Sequence, residues 1–243
     1  MIDVSVVVPL YNEQDNVARL CAATHEALAG MRRTYEIVLV DDGSSDDTVA
    51  AAGAIARSDS RVRLVVLARN AGQTAAMAAG MAHARGQYLV TMDGDLQNDP
   101  RDVFALLERF FTEPDRESIG LLIGHRVRRR DSRTRRFASR FANGLRSRVL
   151  HDETPDTGCG IKVVRRSVFL ELPYFDHMHR FLPALTQRAG YRVLSVPVHH
   201  RPRIHAKAHY GTLDRAWGGV VDLVGVAWLM RRERRVHSKE ERQ

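Results

Sequence analysis

The sequence has little cysteine, and this excludes two classes of small, cross-linked domain. Its two cysteines, Cys21 and Cys159, lie far apart and lack the spacing of metal-thiolate sites. Neither a disulfide framework nor a zinc-thiolate centre is therefore expected. The first residues also lack a cationic, cleavable secretory signal, so we expect a reducing, cytoplasmic compartment.

Lysine is almost absent, with only Lys162, Lys207 and Lys239 among 37 basic residues. Arginine therefore carries the positive charge, and that charge is unevenly distributed. Residues 1–122 hold 11 basic and 18 acidic side chains, net −7, whereas residues 123–243 hold 26 and 11, net +15. An acidic half suits a cation or a metal-bound ligand, and a basic half suits phosphate, nucleic acid or an anionic membrane.

No apolar run is long enough to cross a bilayer. The 15 residues from Ala216 to Met230 contain one charged residue, Asp222, but a spanning helix needs about 20. On a helical projection, one apolar stripe consists of Trp217, Val221, Val224 and Trp228. We therefore expect an amphipathic helix lying on the membrane surface. The alternative is a helix packed on the protein's own core or on a second subunit.

Apolar runs and helical patterns alternate along the chain. Strand-like runs occur at 4–9, 35–40, 62–68, 87–92, 119–124 and 191–198. Helical patterns at 12–29, 45–57, 72–85 and 101–112 separate the first five runs. A Gly-containing turn and strand at 157–164 and a helical pattern at 178–190 precede the last run. This alternation predicts an α/β, Rossmann-like domain whose mostly parallel sheet has helices on both faces. We expect this domain over 1–212, and the interfacial helix with its charged tail over 213–243.

Polar and acidic clusters follow three of these runs. They are Tyr11-Asn12-Glu13, Asp41 to Asp46, and Asp93 to Gln97. Ligands of such sheets bind at the carboxyl ends of the strands, so the clusters should meet at one edge. Alternate residues such as Asp93 and Asp95 can face one ligand, and carboxylate and amide oxygens suit Mg²⁺ or Mn²⁺. The alternative for an isolated Asp-Gly-Asp is a solvated turn.

The second cluster, "VDDGSSDDT" at 40–48, has more than one interpretation. A serine of this segment followed by Asp47 and Thr48 would serve as an ordinary helix cap. Asp42 precedes the cap and is not needed for it, so its carboxylate could accept the ring N–H of a nucleotide base. The ring of Tyr11 could stack on that base, or it could be a partly buried aromatic at a strand end.

The basic half contains a concentrated arginine segment. Residues 126–148 hold ten arginines and one aspartate. A helical projection of 133–149 places Arg133, Arg136 and Arg140 on one face. This pattern predicts an amphipathic helix with a basic stripe, and the alternative is an ordinary solvated face.

Four segments occur in an order and spacing that resemble family-2 glycosyltransferases with the GT-A fold. They are "VVVPLYNEQDNV", "VDDGSSDDT", "NAGQTAAMAAG" (70–80) and "MDGDLQNDP". The resemblance is strongest to the branch that makes polyprenyl-phosphate sugars. It continues through "DTGCGIKVVRR" (156–166) and "VPVHHRPR" (196–203) to about Met230, so it covers nearly the whole chain.

The resemblance implies specific roles. A nucleotide site would comprise Pro9, Tyr11, Glu13, Asp42 and Asp93. A Mg²⁺ or Mn²⁺ site would comprise Asp93, Asp95 and Gln97, with Asp95 and Gln97 favoured as direct ligands. Asp99 would only cap the next helix. The acceptor phosphate would meet Arg126, supported by Arg136 and Arg140. Catalysis would depend on Asp95, Arg126 and Asp156.

The chain departs from the family pattern after the last core strand. Many relatives carry Gly-x-Ser-Lys-Tyr-Gly there, whereas this chain reads "AKAHYG" at 206–211. The loop's usual hold on the diphosphate is therefore in doubt, although Arg203 and Lys207 could substitute for it.

The function expected from the resemblance is inverting transfer of a sugar from a UDP- or GDP-sugar to a polyprenyl phosphate such as undecaprenyl phosphate. The expected enzyme is metal-dependent, associates peripherally with the inner face of an anionic membrane, and could form a homo-oligomer. One alternative is transfer to a sugar or protein hydroxyl, with Asp156 as general base. A remote one is a non-catalytic nucleic-acid binder using the arginine segment, and we expect no nucleic-acid partner.

Overall fold

In the computed structural model, seven strands form one sheet in the order β3-β2-β1-β4-β6-β5-β7. The structure describes residues 2–127, 144, 146–199 and 212–232, with side chains of the last segment described from Gly218 onward. The strands are β1 (Val4–Leu10), β2 (Tyr35–Asp41), β3 (Val62–Val66), β4 (Tyr88–Thr91), β5 (Ile119–Arg126), β6 (Lys162–Arg165) and β7 (Arg192–Val198). Only β6 runs antiparallel to its neighbours.

Helices connect the strands. They are α1 (Val17–Leu28), α2 (Thr48–Ser58), α3 (Gln73–His83), α4 (Pro100–Thr112), α5 (Arg166–Glu171), α6 (Leu182–Arg188) and α7 (Thr212–Arg231). Single 3₁₀ turns occur at Arg116–Ser118 and Met178–Arg180. Residues 146–150 are also helical.

Each face of the sheet buries its own apolar layer, because alternate residues of a strand point to opposite faces. In β1, Val4, Val6 and Val8 enter the layer that contains residues of α1 and α4. Val7 enters the other layer, which contains residues of α3, α6 and α7. The predicted fold, a mostly parallel sheet with helices on both faces, is therefore observed.

The antiparallel direction of β6 determines which residues reach the functional edge. Thr91, at the end of β4, is the register partner of Lys162, at the start of β6. The amino end of β6 therefore lies beside the carboxyl ends of β4 and β5. As a result, the turn at 156–160 comes to the edge where the acidic clusters were expected. The sequence predicted a turn and a strand here but not their direction.

Two helix boundaries differ from the sequence prediction. The helix expected from about Asn12 begins at Val17, because Asn12 has a left-handed φ of 55° and joins the loop after β2. Its N–H donates to Ser44 Oγ at 2.9 Å, and its Oδ1 accepts the N–H of Ser45 at 2.9 Å. The helical pattern around 178–190 begins as a 3₁₀ turn and becomes α-helical at Leu182.

Candidate active site

The loop after β1 combines an exposed ring with a helix start. Tyr11 is exposed at the sheet edge. The carbonyl of Glu13 accepts the N–H groups of Asn16 and Val17, and its carboxylate accepts Asn16 Nδ2 at 2.6 Å. Pro9 lies within the β1 ladder opposite Val40. Tyr11 thus has the accessible ring that base stacking needs, and its nucleotide role stays a prediction.

Asp42, at the end of β2, holds a neighbouring loop. Its Oδ1 accepts the N–H of Ala71 at 2.8 Å and its Oδ2 accepts the N–H of Gly72 at 2.9 Å. Burial raises the pKa of Asp42 above its ordinary value, although the two N–H donors oppose that shift. Gly72 has a φ of 90°, a conformation that glycine adopts without strain. The predicted contact with a base would therefore use the remaining lone pairs of Asp42.

The helix expected after this cluster begins at Thr48, but its first N–H is accepted by Asp46 rather than by a serine. The Oγ of Ser44 is used instead by the loop after β1. The loops following β1 and β2 are thus tied together, which fixes Tyr11 relative to Asp42.

The acidic turn after β4 is partly open to solvent at Asp93, Asp95 and Gln97. The Gln73 amide donates to Asp93 Oδ1 at 3.0 Å, and the N–H of Gln97 donates to Asp95 Oδ1 at 3.1 Å. Between them, Leu96 has a φ of 59° and buries its side chain in the core. The turn therefore presents two carboxylates and an amide, and the buried side chain of Leu96 anchors its backbone to the core.

These residues fit a hard divalent cation. Within the described part of the chain, no group of three or more His, Cys, Asp or Glu side chains is arranged to hold a metal ion. A cation here would therefore take its ligands from two carboxylates, the Gln97 amide, water and a substrate phosphate. That mixture is typical of Mg²⁺ sites, which keep several waters and use one or two carboxylates.

Asp99 caps the next helix, as expected. Its side chain accepts the N–H of Arg101 at 3.1 Å, and Pro100 occupies the first turn of α4. Asp99 therefore does not belong to the acidic group that faces a ligand.

Arg126, the last residue of β5, pairs with Asp156. Arg126 Nε lies 2.7 Å from Asp156 Oδ2, and Nη2 lies 2.8 Å from Oδ1. Burial alone would lower the pKa of Arg126, but the hydrogen bonds and charge of Asp156 outweigh burial and raise it. The charge of Asp93 acts in the same direction. The predicted acceptor arginine therefore lies within the electrostatic reach of the acidic turn.

The turn at 156–160 makes close contact with both of these groups. A Cβ built on Gly160 would lie 2.2 Å from Asp93 Oδ2 and 2.5 Å from Asn98 Oδ1. A Cβ on Gly158 would lie 3.3 Å from Arg126 Nη2. Only glycine at 160 lets the backbone approach Asp93 this closely.

Sequence reasoning missed several residues of this edge. Gln73 contacts Asp93, and the buried Lys162 donates to the carbonyl of Cys159. Thr74 Oγ1 lies 2.7 Å from His179 Nδ1 and accepts the N–H of His177 at 3.1 Å. The rarity of lysine was the one available signal for Lys162. The partners of Thr74 lie more than 100 residues away, beyond the range of local patterns.

A family model for glycosyl transferase family 2 matches residues 5–172. The chain belongs to glycosyl transferase family 2. The family resemblance noted from the four sequence segments is thereby confirmed.

Curated relatives of this family-2 chain include two transferases with polyprenyl phosphate in their names. Dodecaprenyl-phosphate galacturonate synthase of Rhizobium johnstonii is 37% identical over 234 residues, covering 95% of this chain and 68% of that protein. Undecaprenyl-phosphate 4-deoxy-4-formamido-L-arabinose transferase of Edwardsiella ictaluri is 39% identical over 211 residues, covering 86% and 63%. The chain thus spans 68% and 63% of the lengths of these two relatives.

Solved structures share the fold at low sequence identity. Glucosyl-3-phosphoglycerate synthase of Mycobacterium tuberculosis, in complex with Mn²⁺ and uridine diphosphate, aligns with a TM-score of 0.71 at 18% identity, covering 94% of this chain and 80% of that chain. Mannosyl-3-phosphoglycerate synthase from Rubrobacter xylanophilus aligns with a TM-score of 0.71 at 19% identity, covering 99% and 77%. The predicted GT-A fold class is therefore confirmed.

The C-terminal helix α7 of this family-2 chain has two apolar faces. Val226 is buried in the layer that also contains Leu182 and Leu185, and neighbouring apolar residues of α7 pack there too. The outward stripe consists of Val220, Val221, Val224 and Trp228, all exposed. One face of α7 therefore packs on the protein's own core, while the described part of the predicted stripe is accessible.

Polar contacts fix α7 in place. Asp222 Oδ2 lies 3.0 Å from His177 Nδ1, and Arg188 Nε donates to the carbonyl of Leu229 at 3.2 Å. No helix in the described ranges is sufficiently long and apolar to span a bilayer.

Some predicted residues cannot be placed. Arg136 and Arg140 of the basic stripe, Arg203 and Lys207 of the loop after β7, and the side chain of Trp217 lie outside the described residues. Their assigned roles stay predictions, as does the division of the chain at residue 212.

Proposed function

We propose that this chain is an inverting glycosyltransferase that transfers a sugar from a nucleotide-diphosphate sugar to a polyprenyl phosphate. The observation that carries the proposal is the meeting of an acidic turn and a largely buried arginine at one sheet edge. Asp93 lies on the donor side of this edge and Arg126 on the acceptor side, and the 156–160 turn contacts both. The names of the two curated relatives support the same acceptor class.

The acceptor is proposed to be a phosphate because of how Asp156 is used. Its carboxylate is buried and accepts hydrogen bonds from both Nε and Nη2 of Arg126. It is therefore poorly placed to remove a proton from a hydroxyl. A phosphate monoester has its second pKa near ~6 and is already largely ionised at neutral pH. It needs positioning and charge compensation rather than a base, and the N–H groups of Arg126 that do not face Asp156 would contribute to both.

The donor is proposed to bind along the ends of β1, β2 and β4. Tyr11 offers its exposed ring to the base, and Asp42 fixes the loop at 70–72 beside it. Asp93, Asp95 and Gln97 would hold a Mg²⁺ or Mn²⁺ ion. Such an ion, when bound, supplies positive charge that stabilises the leaving diphosphate. The relatives act on different sugars, galacturonate and a formamido-arabinose, so the sugar has to be found by a screen of UDP- and GDP-linked donors.

We further propose that the protein works in the cytoplasm on the inner face of a membrane. The exposed stripe of α7 would enter the headgroup region, where indole rings such as Trp228 are favoured. Arg231 and Arg232 are exposed at the end of the same helix, and each basic residue near an anionic leaflet contributes about 1 kcal/mol. The inner face of α7 remains packed on the protein.

The direct test is a transfer assay. Purified protein is incubated with undecaprenyl phosphate, Mg²⁺ or Mn²⁺, and a panel of UDP- and GDP-linked hexoses, uronic acids and amino or formamido pentoses. The expected result is one lipid-linked sugar whose formation needs the metal and the lipid phosphate. Transfer to undecaprenol or to a free sugar, with none to the lipid phosphate, would support the hydroxyl-acceptor alternative.

A further inference from the structure

Lys162 is an ionisable side chain enclosed in the protein beside the catalytic edge. It begins β6, is 4% exposed, and donates from Nζ to the carbonyl of Cys159. A buried charge is costly unless its surroundings compensate it. The transfer chemistry proposed above makes no use of Lys162, so its presence needs another explanation.

The charged and titratable groups around Lys162 come from four parts of the chain. They are Asp93, Arg126, Asp156, Cys159 and His179. Burial lowers the pKa of Lys162, and the nearby acidic groups oppose that shift. Burial, followed by the charge of Lys162, lowers the pKa of His179 to about 3, and burial raises the pKa of the Cys159 thiol. The two carboxylates are thus the negative partners available to Lys162 and Arg126.

Lys162 and its cross-strand partner, Thr91, donate hydrogen bonds to two consecutive backbone carbonyls. Lys162 donates to the carbonyl of Cys159, while Thr91 Oγ1 donates to the carbonyl of Gly160 at 2.6 Å. Thr91 and Lys162 are register partners in the β4–β6 ladder. The end of the 156–160 turn is therefore attached to the sheet at two adjacent points.

The same turn joins the donor and acceptor sides of the site. Gly160 lies against Asp93 and Asn98, and Asp156 holds Arg126 in a two-pronged pair. A shift of the turn would therefore move Arg126 relative to Asp93. Displacing a reacting group by about 1 Å can cost about 100-fold in rate.

We propose that Lys162 is a positioning residue that, through the carbonyl of Cys159, fixes the distance between the donor carboxylates and the acceptor arginine. Its role in catalysis rests on the proposed function, whereas its hold on the turn does not. Lys162 touches neither substrate in this scheme. Its loss should therefore reduce turnover while leaving the apparent affinity for both substrates nearly unchanged.

The first test needs no substrate. Hydrogen–deuterium exchange of the backbone at 157–161 is compared in the parent protein, Lys162→Met, and the control Val163→Ala, which removes buried apolar atoms from the next position of β6. Exchange of this turn should rise by about tenfold or more in Lys162→Met, because local opening becomes easier, and should change little in the control. Unchanged exchange, or an equal rise in both variants, would overturn the proposal.

Two further variants separate charge from hydrogen bonding and keep the test available if Lys162→Met folds poorly. Lys162→Gln keeps a donor without the charge, and Lys162→Arg keeps both. Protection of the turn should follow the order parent, Arg, Gln, Met. Full protection from exchange in both Lys162→Gln and Lys162→Met would mean that the turn keeps its position without Lys162, and would overturn the proposal.

The second test is kinetic. With the donor and acceptor found in the transfer assay, Lys162→Met should lower kcat by about 100-fold with both KM values within about threefold of the parent, and Lys162→Arg should recover much of the loss. A rise in one KM that accounts for the whole effect would make Lys162 a binding residue and overturn the proposal. If the parent transfers nothing to a lipid phosphate, the proposed function fails, but the exchange experiment still decides the role of Lys162.

Discussion

Arg126 and Asp156 form a two-pronged ion pair across 30 residues of sequence, with N–O distances of 2.7 and 2.8 Å. Both side chains are largely buried, at 15% and 5% exposed. In such a pair each charge compensates the other, so removal of either partner leaves an uncompensated charge.

The first prediction separates this pairing from base catalysis. Asp156→Ala and Arg126→Ala should each destabilise the fold by a few kcal/mol and abolish most transfer. The double variant Arg126→Met with Asp156→Leu should regain stability, because no buried charge is left, but not activity. Denaturant unfolding and transfer to the lipid phosphate measure the two properties. A double variant as unstable as the sum of the singles would show that the pair is not an isolated unit.

Arg126→Lys is a more conservative test of the acceptor role. It keeps the positive charge beside Asp156 but removes the planar guanidinium. Loss of a charge-assisted contact costs about 1.5–3 kcal/mol, so the acceptor KM or kcat/KM should worsen by one to two decades. Donor binding, measured by calorimetry, should stay within a few-fold of the parent. Collapse of donor binding with an unchanged acceptor KM would contradict this assignment.

Asp95→Asn should nearly abolish transfer and leave the fold intact, because the substitution removes a carboxylate from a partly exposed turn and no core atom is lost. Nucleotide binding should persist but become weaker and less dependent on metal. The matched control is Asp99→Ala, which removes the α4 cap and should cost about 1 kcal/mol of stability with little effect on turnover. Activity of Asp95→Asn within a few-fold of the parent would exclude the metal role.

Gly160→Ala should damage the site without removing any functional group. The new Cβ would lie 2.2 Å from Asp93 Oδ2, so either Asp93 or the turn has to move. We expect a loss of about 100-fold in kcat/KM. Gly30→Ala is the control, since a Cβ there meets nothing within 4 Å. Parent-like activity in Gly160→Ala would mean that the turn tolerates displacement.

The lowered pKa of His179 predicts that the folded protein loses stability at acid pH. The folded pKa of about 3 lies below the ordinary value of 6.5, so between these pH values the unfolded chain binds a proton that the folded protein does not. The free energy of unfolding should therefore fall as the pH falls through this window, by up to about 1.4 kcal/mol per pKa unit. Unfolding curves of His179→Gln should show a shallower fall than the parent.

The stripe on α7 predicts binding to anionic vesicles. Each large apolar side chain contributes about 1.5–3 kcal/mol when buried, so Val224→Ser with Trp228→Ser should weaken co-sedimentation by more than about tenfold. Leu170→Ser changes an exposed apolar residue on α5 and should not weaken it. Nucleotide binding should be unaffected by either change. If the parent protein does not bind vesicles, or if the double variant changes the oligomeric state instead, the stripe would be assigned to a contact between subunits.

The sequence predicted the parts of the fold whose signal is local. Continuous apolar runs identified β1, β2 and β4, and the acidic residues after them were correctly expected at one edge. Asp99 before Pro100 was recognised as a cap because that signal lies within three residues. The family motifs added Arg126 and Asp156 as candidates.

The remaining features depend on contacts between distant segments. The four residues of β6 carry no mark of their antiparallel direction, so the position of Lys162 could not be foreseen. The binding of Ala71 and Gly72 by Asp42 spans about 30 residues, and each of these residues looks ordinary in its own segment. A pattern read along the chain indicates which elements form, and the sheet order decides which loops meet.

The position of β6 has a consequence for the order in which the chain can fold. In the sheet, β5 and β7 connect to the first four strands only through β6, although β6 follows β5 in the chain. During synthesis, β4 therefore has an unpaired edge bearing the apolar Leu89 and Val90 until about residue 165 has emerged. Unpaired apolar strand edges are sites of aggregation. The period between synthesis of β4 and of β6 should therefore be when the nascent protein most needs protection by a chaperone.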